Sequence, residues 1–351
     1  MGDAVIGPTH VLCSIGRGTD QVWSSARTGI ARIANSDMTT RRLEAIPMGL
    51  VPEEALAKLP PDIDKLPLPP RARRILGLAA PSFQAVAKDV PQPVPLFLGL
   101  PELGRDAAPW LIHVPEYLQT LTGVRIDDPR SVVVARGRAA ALMALERALA
   151  FLQAEPSMAV VVGGVDTYLD LPLLDALGDE QRILGAGVMD GFIPGEGAAF
   201  YVLSGASASK GQPDRNQVIV NGAASTMDPG HRYGTAPALG EGLAAALDRL
   251  RQSMDHPSAP IATTFAGFNG ESFEAKLWGV ARLRHNDFFS PAMVIEHPAD
   301  KFGDAGAAMG AILIAMAAQS LVGGTRSGPA LVWAASDREP RACAVVSVLK
   351  Q

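Results

Sequence analysis

Two arginines at the start of an apolar helix are the first residues that ask for a chemical explanation. In Ser131 to Leu152, SVVVARGRAAALMALERALAFL, Val132, Val133 and Val134 read as a buried strand and Ala139 to Leu152 as a helix, with Arg136-Gly137-Arg138 at the turn between them. A helix start carries partial positive charge and unpaired N–H groups, so it suits an anion or a nucleophile and disfavours a cation. Either something compensates these arginines or the turn lies on a solvated face.

Other reactive residue types are scattered. Glu271 and Glu274 stand at helical spacing and could form an acid/base pair, although carboxylates in a first turn more often serve the helix dipole. Gly195-Glu196-Gly197 has the look of a phosphate loop, yet neither a helix nor a P-loop lysine follows, so it reads as a structural turn. His10, His113, His231, His256, His285 and His297 lack the spacing of a metal site or of a nucleophile–base pair, and read as surface or satisfied structural residues. Cys13 and Cys343 supply neither a disulfide framework nor a metal cluster; as small core residues they fit a reducing cytosol. Ser336 has no identifiable histidine partner and reads as an ordinary turn serine. No cofactor and no metal is expected.

The elements that must position these residues follow from composition and periodicity. The 351 residues are 48% hydrophobic and 19% charged, enough for a large core or two fused domains. A net charge of −5, with no Lys/Arg block interleaved with aromatics, argues against nucleic acid as a partner. MGDAVIGPTH has no secretory pattern, and Ile6 stands where myristoylation wants Ser or Thr. The longest apolar run, Ala305 to Ala318, is too short for a membrane span and reads as a buried helix. A cytoplasmic location is the resulting expectation.

Along the chain, AVIGPTHVLCSIG reads as a strand, and Thr19 or Asp20 as the cap of a short helix around Trp23. KLPPDIDKLPLPPRARR reads as an extended surface excursion, followed by a helix from Arg74 and the strand VPLFLGL. Met158 to Asp166 reads as a strand ended by Gly163 and Gly164, where the backbone turns, and Ala198 to Leu203 as another. Ser204 to Gln217 loses its large apolar residues and reads as a linker. Beyond it come strand VIVNGAAS, helix GEGLAAALDRLRQSM, strand PIATTFAGFNG, helix ESFEAKLWGVARLR, the apolar helix from Ala305 and the strand ACAVVSVL. The chain thus divides into halves, 1–204 and 218–351 around a linker at 205–217, that share an α/β rhythm without a residue-level repeat.

These segments, in this order, resemble the β-ketoacyl synthases (ketosynthases) of fatty-acid and polyketide synthesis, which have the thiolase-like fold. SIGRGTDQVWSSARTGI is similar to the family's opening, and GGVDTYLDLPLLDAL followed by MDGFIPGEGAAFYVL to its Gly-Gly strand and Asp-Gly-Phe-x-x-Gly-Glu-Gly-Ala signature. TAPALGEGLAAAL, GFNGESFEAK and FGDAGAAMGAILIAMAA fall where the family has its C-terminal segments, so the resemblance spans nearly the whole chain. It implies a five-layered αβαβα sandwich of two pseudo-duplicated halves, and a homodimer with a sheet continued across the two-fold axis.

The family's chemistry uses a cysteine at the N-terminus of a buried helix, two histidines and a glycine-rich C-terminal loop. Carried onto this sequence, the cysteine position falls on Arg136 or Arg138, neither a nucleophile at neutral pH. The first histidine falls among Gly267, Phe268 and Asn269, and the second on Asp304. The loop reads Ser336, Asp337, Arg338, Glu339 and Pro340. Four lost parts imply that condensation has gone while the fold remains, and that an Arg136 or Arg138 pair with Asp304 fills the place. The resemblance then implies a non-catalytic scaffold, adaptor or chaperone for a protein or acyl-type partner: a carrier protein, a ketosynthase or an unrelated client. One alternative is the silent, chain-length-factor-like subunit of a ketosynthase heterodimer. Another is an acyltransferase of the β-ketoacyl synthase type with relocated chemistry on Cys13 or Cys343.

Overall fold

The computed structural model describes residues 4–40, 43–102, 109–185, 187–205, 217–254 and 259–349. The first half runs β1 (Ala4–Cys13), β2 (Gly16–Arg17), α1 (Thr19–Arg27), β3 (Ala34–Thr39), β4 (Ala45–Met48), α2 (Pro61–Asp64), α3 (Pro70–Ala87) and β5 (Leu96–Leu100). It continues through α4 (Val114–Thr122), β6 (Val132–Ala135), α5 (Ala140–Ala154), β7 (Ala159–Thr167), α6 (Leu171–Asp179) and β8 (Glu196–Gly205). The second half runs β9 (Gln217–Met227), α7 (Glu241–Ser253), β10 (Ile261–Ala266), α8 (Ser272–Arg284), β11 (Phe289–Glu296), α9 (Ala299–Phe302), α10 (Met309–Val322), β12 (Ala330–Ala335) and β13 (Pro340–Leu349).

The two halves repeat one topology. One continuous sheet has the order β11-β10-β12-β13-β9-β1-β8-β7-β5-β6, with β2 attached to β1. In each half the strands lie third, second, fourth, fifth, first, with the fifth antiparallel to both neighbours and the others parallel. The seam is β1, which pairs with β8 along its length and with β9 through Ala4, Val5 and Ile6.

Period-two alternation along the strands separates the layers. In β12, Leu331 and Trp333 face α7 and α8, whereas Val332 and Ala334 face the middle layer. In β5, Leu96, Leu98 and Leu100 face α3 and α4, whereas Phe97 faces α5. The stack is α3/α4, first-half sheet, α5/α10, second-half sheet, α7/α8: the five-layered thiolase-like sandwich. Lying between two sheets, α10 is buried on every side from Met309 to Ala318, and its Gly and Ala residues permit that closeness. The outer helix α7 instead buries Leu243, Leu247 and Leu250 and exposes Asp248 and Arg249.

Several local expectations are corrected. Gly163 and Gly164 do not end a strand; they lie inside β7, where a Cβ would come 2.2 Å from the Phe200 ring and 2.5 Å from the Ala307 carbonyl. Close packing, not a turn, demands glycine there. The helix predicted from Arg74 starts at Pro70, since proline is pre-organised for a first helical position, and α2 interrupts the excursion before it. Gly18 rather than Thr19 or Asp20 precedes α1, with no side-chain cap. Glu196 begins β8 instead of making a turn. Of the expected linker, 206–216 lie outside the described residues, and Gly205 and Gln217 belong to strands.

Candidate functional site

The repeated topology brings two helix starts together at the joint between the halves. After β6 the chain makes a 3₁₀ turn, Gly137–Ala139, into α5; in the second half Gly306–Ala308 leads likewise into α10. Gly137 and Gly306 have φ of 66° and 54°, the left-handed region that favours glycine. At Gly306 a Cβ would also fall 2.1 Å from Asp166 Oδ2. Each start is capped from the opposite half: the Ala139 N–H donates to Ser336 Oγ at 3.0 Å, and the Ala307 N–H to Asp166 Oδ2 at 3.0 Å. The Gly306 N–H donates to Asp304 Oδ1 at 2.8 Å.

Arg138 resolves the opening question. Its side chain is 4% exposed and is held by groups of the second half. Nη1 donates to Asp304 Oδ2 at 2.8 Å, Nε to the Ala335 carbonyl at 3.0 Å and Nη2 to Asp337 Oδ1 at 2.5 Å. Nη2 also lies 2.9 Å from Glu274 Oε1, an ionic contact without hydrogen-bond geometry. Burial works against the guanidinium's charge, but Asp337, Glu274 and Asp304 outweigh it and hold Arg138 ionised. Arg136 is half exposed, with its nearest carboxylate, Glu102, at 3.6 Å. The expected pair with Asp304 is therefore made by Arg138 and not by Arg136.

The network extends outward from this pair. Arg182 clasps Glu271 with Nε and Nη2, both at 2.8 Å, and donates to Asp337 at 2.9 and 3.0 Å. Arg232 Nη2 lies 3.0 Å from Glu271 Oε2. Asn269 Nδ2 donates to Glu271 at 2.9 Å and Asp304 at 3.3 Å, while its backbone N–H donates to Glu274 at 2.8 Å. The Asp337 carboxyl is desolvated, yet Arg138 and Arg182 hold it well below the usual carboxylate range. Arg138 and Arg182 come from the first half, whereas Glu271, Glu274, Asp304 and Asp337 all come from the second. Arg232 adds a cation from the second half itself, so the pairs across the joint are those of Arg138 and Arg182.

A cavity of about 410 Å³ opens over both starts. Gly137, Arg138, Gly306, Asp166, Leu173 and Leu177 of α6 line it, as does Arg338, which lies over the Tyr233 ring. Among the described residues that line it there is no cysteine, histidine, serine or lysine. The volume is in the range of small-molecule sites, about 300–1,000 Å³.

Of the residues singled out in the sequence, Arg138, Asn269, Asp304 and Asp337 meet in this network. Gly267 and Phe268 do not: Gly267 packs under the Trp333 carbonyl and Phe268 against the Trp333 ring. Ser336 is no ordinary turn residue, being buried and donating to the Arg136 carbonyl while it caps α5. Glu271 and Glu274 are not exposed dipole partners but buried members of the cluster, 3% and 1% exposed. Arg182 and Arg232 escaped the sequence reading because each reaches the joint from a loop with no motif. Cys13 and Cys343 are both buried in strands, and desolvation raises the Cys13 thiol to about 12 and pushes the Cys343 thiol up as well. His285 is buried against the Ala244 carbonyl, and the half-buried His10 pairs with Ser82; His256 lies outside the described residues.

No protein-family model and no curated protein matches the sequence. Solved structures do match the fold. The ketosynthase from module 6 of the bacillaene synthase of Bacillus subtilis 168 superposes with a TM-score of 0.80 at 14% identity, over 99% of this chain and 72% of its own. A chain of the ishigamide ketosynthase/chain length factor gives 0.74 at 16% identity, over 99% and 100%. A chain of a type II polyketide synthase complex, an acyl-carrier protein with its ketosynthase bound to the hexaketide, gives 0.76 at 13% identity, over 99% and 100%. The chain has the thiolase-like fold of ketosynthases. Among the described residues no helix is long and apolar enough to cross a membrane.

Proposed function

We propose that this chain is a non-catalytic ketosynthase-fold subunit that binds a partner in acyl-chain assembly, with Arg138 standing where the family's nucleophile would be. The observation that carries the reading is the saturation of Arg138. A residue at the start of a buried helix, facing a cavity, is placed to react, yet this one is a guanidinium held by Asp304, Asp337 and a carbonyl, with the Glu274 carboxyl against it. By the resemblance, Asp304 takes the place of one histidine and Gly267, Phe268 and Asn269 that of the other, with Ser336 to Pro340 in the place of the glycine-rich loop. Relocated chemistry on either cysteine is disfavoured, because both thiols are buried and their thiolates suppressed.

The partner surface we favour is β6, the edge strand of the first half, whose Val132, Val133 and Val134 are half-buried in the single chain. A second subunit adding a strand there makes a homodimer, or a heterodimer with an active ketosynthase. The heterodimer is favoured by the likeness to a ketosynthase/chain length factor chain over its full length. Free cysteines and the carrier-protein context of these relatives support a cytoplasmic setting.

The test is tagged purification from the native host with mass spectrometry of bound proteins, alongside incubation with acyl and malonyl carrier protein. Co-purification of a ketosynthase or carrier protein, with no acyl adduct on this chain, is expected. A covalent acyl adduct on Cys13 or Cys343, or retention only of proteins unrelated to acyl chains, overturns the proposal.

A further inference from the structure

We infer that the joint between the halves retains one acidic proton at neutral pH, on Glu274, and that losing it on alkalinisation loosens the joint. The charge count carries the argument. Arg138, Arg182 and Arg232 face Glu271, Glu274, Asp304 and Asp337, three guanidiniums against four carboxylates in direct contact. Arg341 is buried beside them but brings its own partner, Asp228 at 3.3 Å, so the excess stands. Glu180, 3.7 Å from Arg182, is exposed and accepts from Tyr233, which leaves its charge in water. A buried charge without a partner neutralises itself instead of remaining ionised.

Hydrogen bonding selects the carboxyl that keeps the proton. Asp304 accepts from Arg138, Asn269 and the Gly306 N–H; Glu271 accepts from both arms of Arg182 and from Asn269; Asp337 accepts from Arg138 and Arg182. Glu274 accepts only from the Asn269 N–H, and its other oxygen has no hydrogen-bond partner. The groups facing it are Arg138 from the start of α5, Asp304 from the approach to α10, Glu271 from the cap of its own helix, and Arg341 from β13, with Asp337 reached through Arg138. Burial, aided by Asp304 and Glu271 and opposed by Arg138, raises its carboxyl to about 8.

The sign follows directly. The unfolded carboxyl releases its proton near about pH 4.3, while the folded one keeps it to about pH 8. Between those values the folded state binds one more proton, so this group's stabilising contribution falls as pH rises. The unfolding constant grows about tenfold per pH unit from this site and levels off above about pH 8.

The experiment compares the full chain with Glu274→Gln by infrared titration between about pH 6.5 and 9.5 and by denaturant unfolding across about pH 5 to 9, a range set by the two protonation limits. The expected result is a buried carboxylic-acid band that disappears on alkalinisation and is missing from the variant. The ratio of wild-type to variant unfolding constants should shift about tenfold per pH unit. Absence of that band from the wild type, or an unchanged pH slope in the variant, overturns the inference. If Glu274→Gln does not fold, the wild-type band decides alone.

Discussion

The starts of α5 and α10 share a backbone and differ in charge. Both are glycine-led 3₁₀ turns that enter a buried helix, and both are capped from the opposite half. At α10 the first-turn N–H groups meet two carboxylates, Asp166 and Asp304, which is what a helix dipole favours. At α5 the cap is a neutral hydroxyl, Ser336, and the residue after the glycine is Arg138, where α10 has Ala307. The dipole there opposes the cation, and the second half's carboxylates overcome it by holding the guanidinium. The cation at α5 is thus tolerated because the fold directs it into a built cluster.

Breaking that cluster should produce the largest effect. Arg138→Met leaves four carboxyl groups facing two guanidiniums, and removing one member of a buried ion pair destabilises by about 3–5 kcal/mol. Adding Asp304→Asn to Arg138→Met should restore part of this loss. A double variant no more stable than the single one in urea unfolding would mean that the two residues act independently.

The next effect separates the caps. Asp166→Ala removes an anion at the α10 start and the partner of Arg71, which donates to it at 2.9 Å. Loss of a buried charged acceptor costs about 1–3 kcal/mol. Ser336→Ala at the α5 start removes only a hydroxyl cap, worth about 0.5–2 kcal/mol. Thermal melts should rank Asp166→Ala below Ser336→Ala; the reverse order would show that the α5 start is the more strained of the two.

The smallest effect distinguishes the two arginines of the turn. Arg136→Gln removes an exposed charge whose nearest carboxylate is 3.6 Å away, and surface substitutions of this kind stay within about 0.5 kcal/mol. A Tm loss comparable to that of Arg138→Met would assign Arg136 a structural part that its geometry does not show.

Much of this architecture is legible in the sequence because periodicity and caps are local. The Val132 to Val134 strand, the α5 helix, the wholly apolar α10 and the β9-α7-β10-α8 succession all follow from residue spacing. What escapes is set at a distance. β12, ALVWAA, is apolar throughout and gives no alternation to read; β11 carries Pro291 and is largely exposed. Arg136 and Arg138 have the same local context, and only the approach of Asp304 and Asp337 from the other half separates the buried one from the solvated one. Glu271 and Glu274 look like surface carboxylates until Arg182, Arg232 and Arg138 arrive.

The seam strand also sets a clock on synthesis. Ala4 pairs with Gly205 on one side and Val220 on the other, so β1 waits for partners some 200 residues downstream. At translation rates of about 5–20 residues per second, that interval is roughly 10–40 s. Throughout it β1 presents Val11, Leu12 and Cys13, all buried in the finished fold, with only the short β2 paired beside them. A ribosome-bound chaperone engaging β1 over that interval would protect the seam on which both halves close.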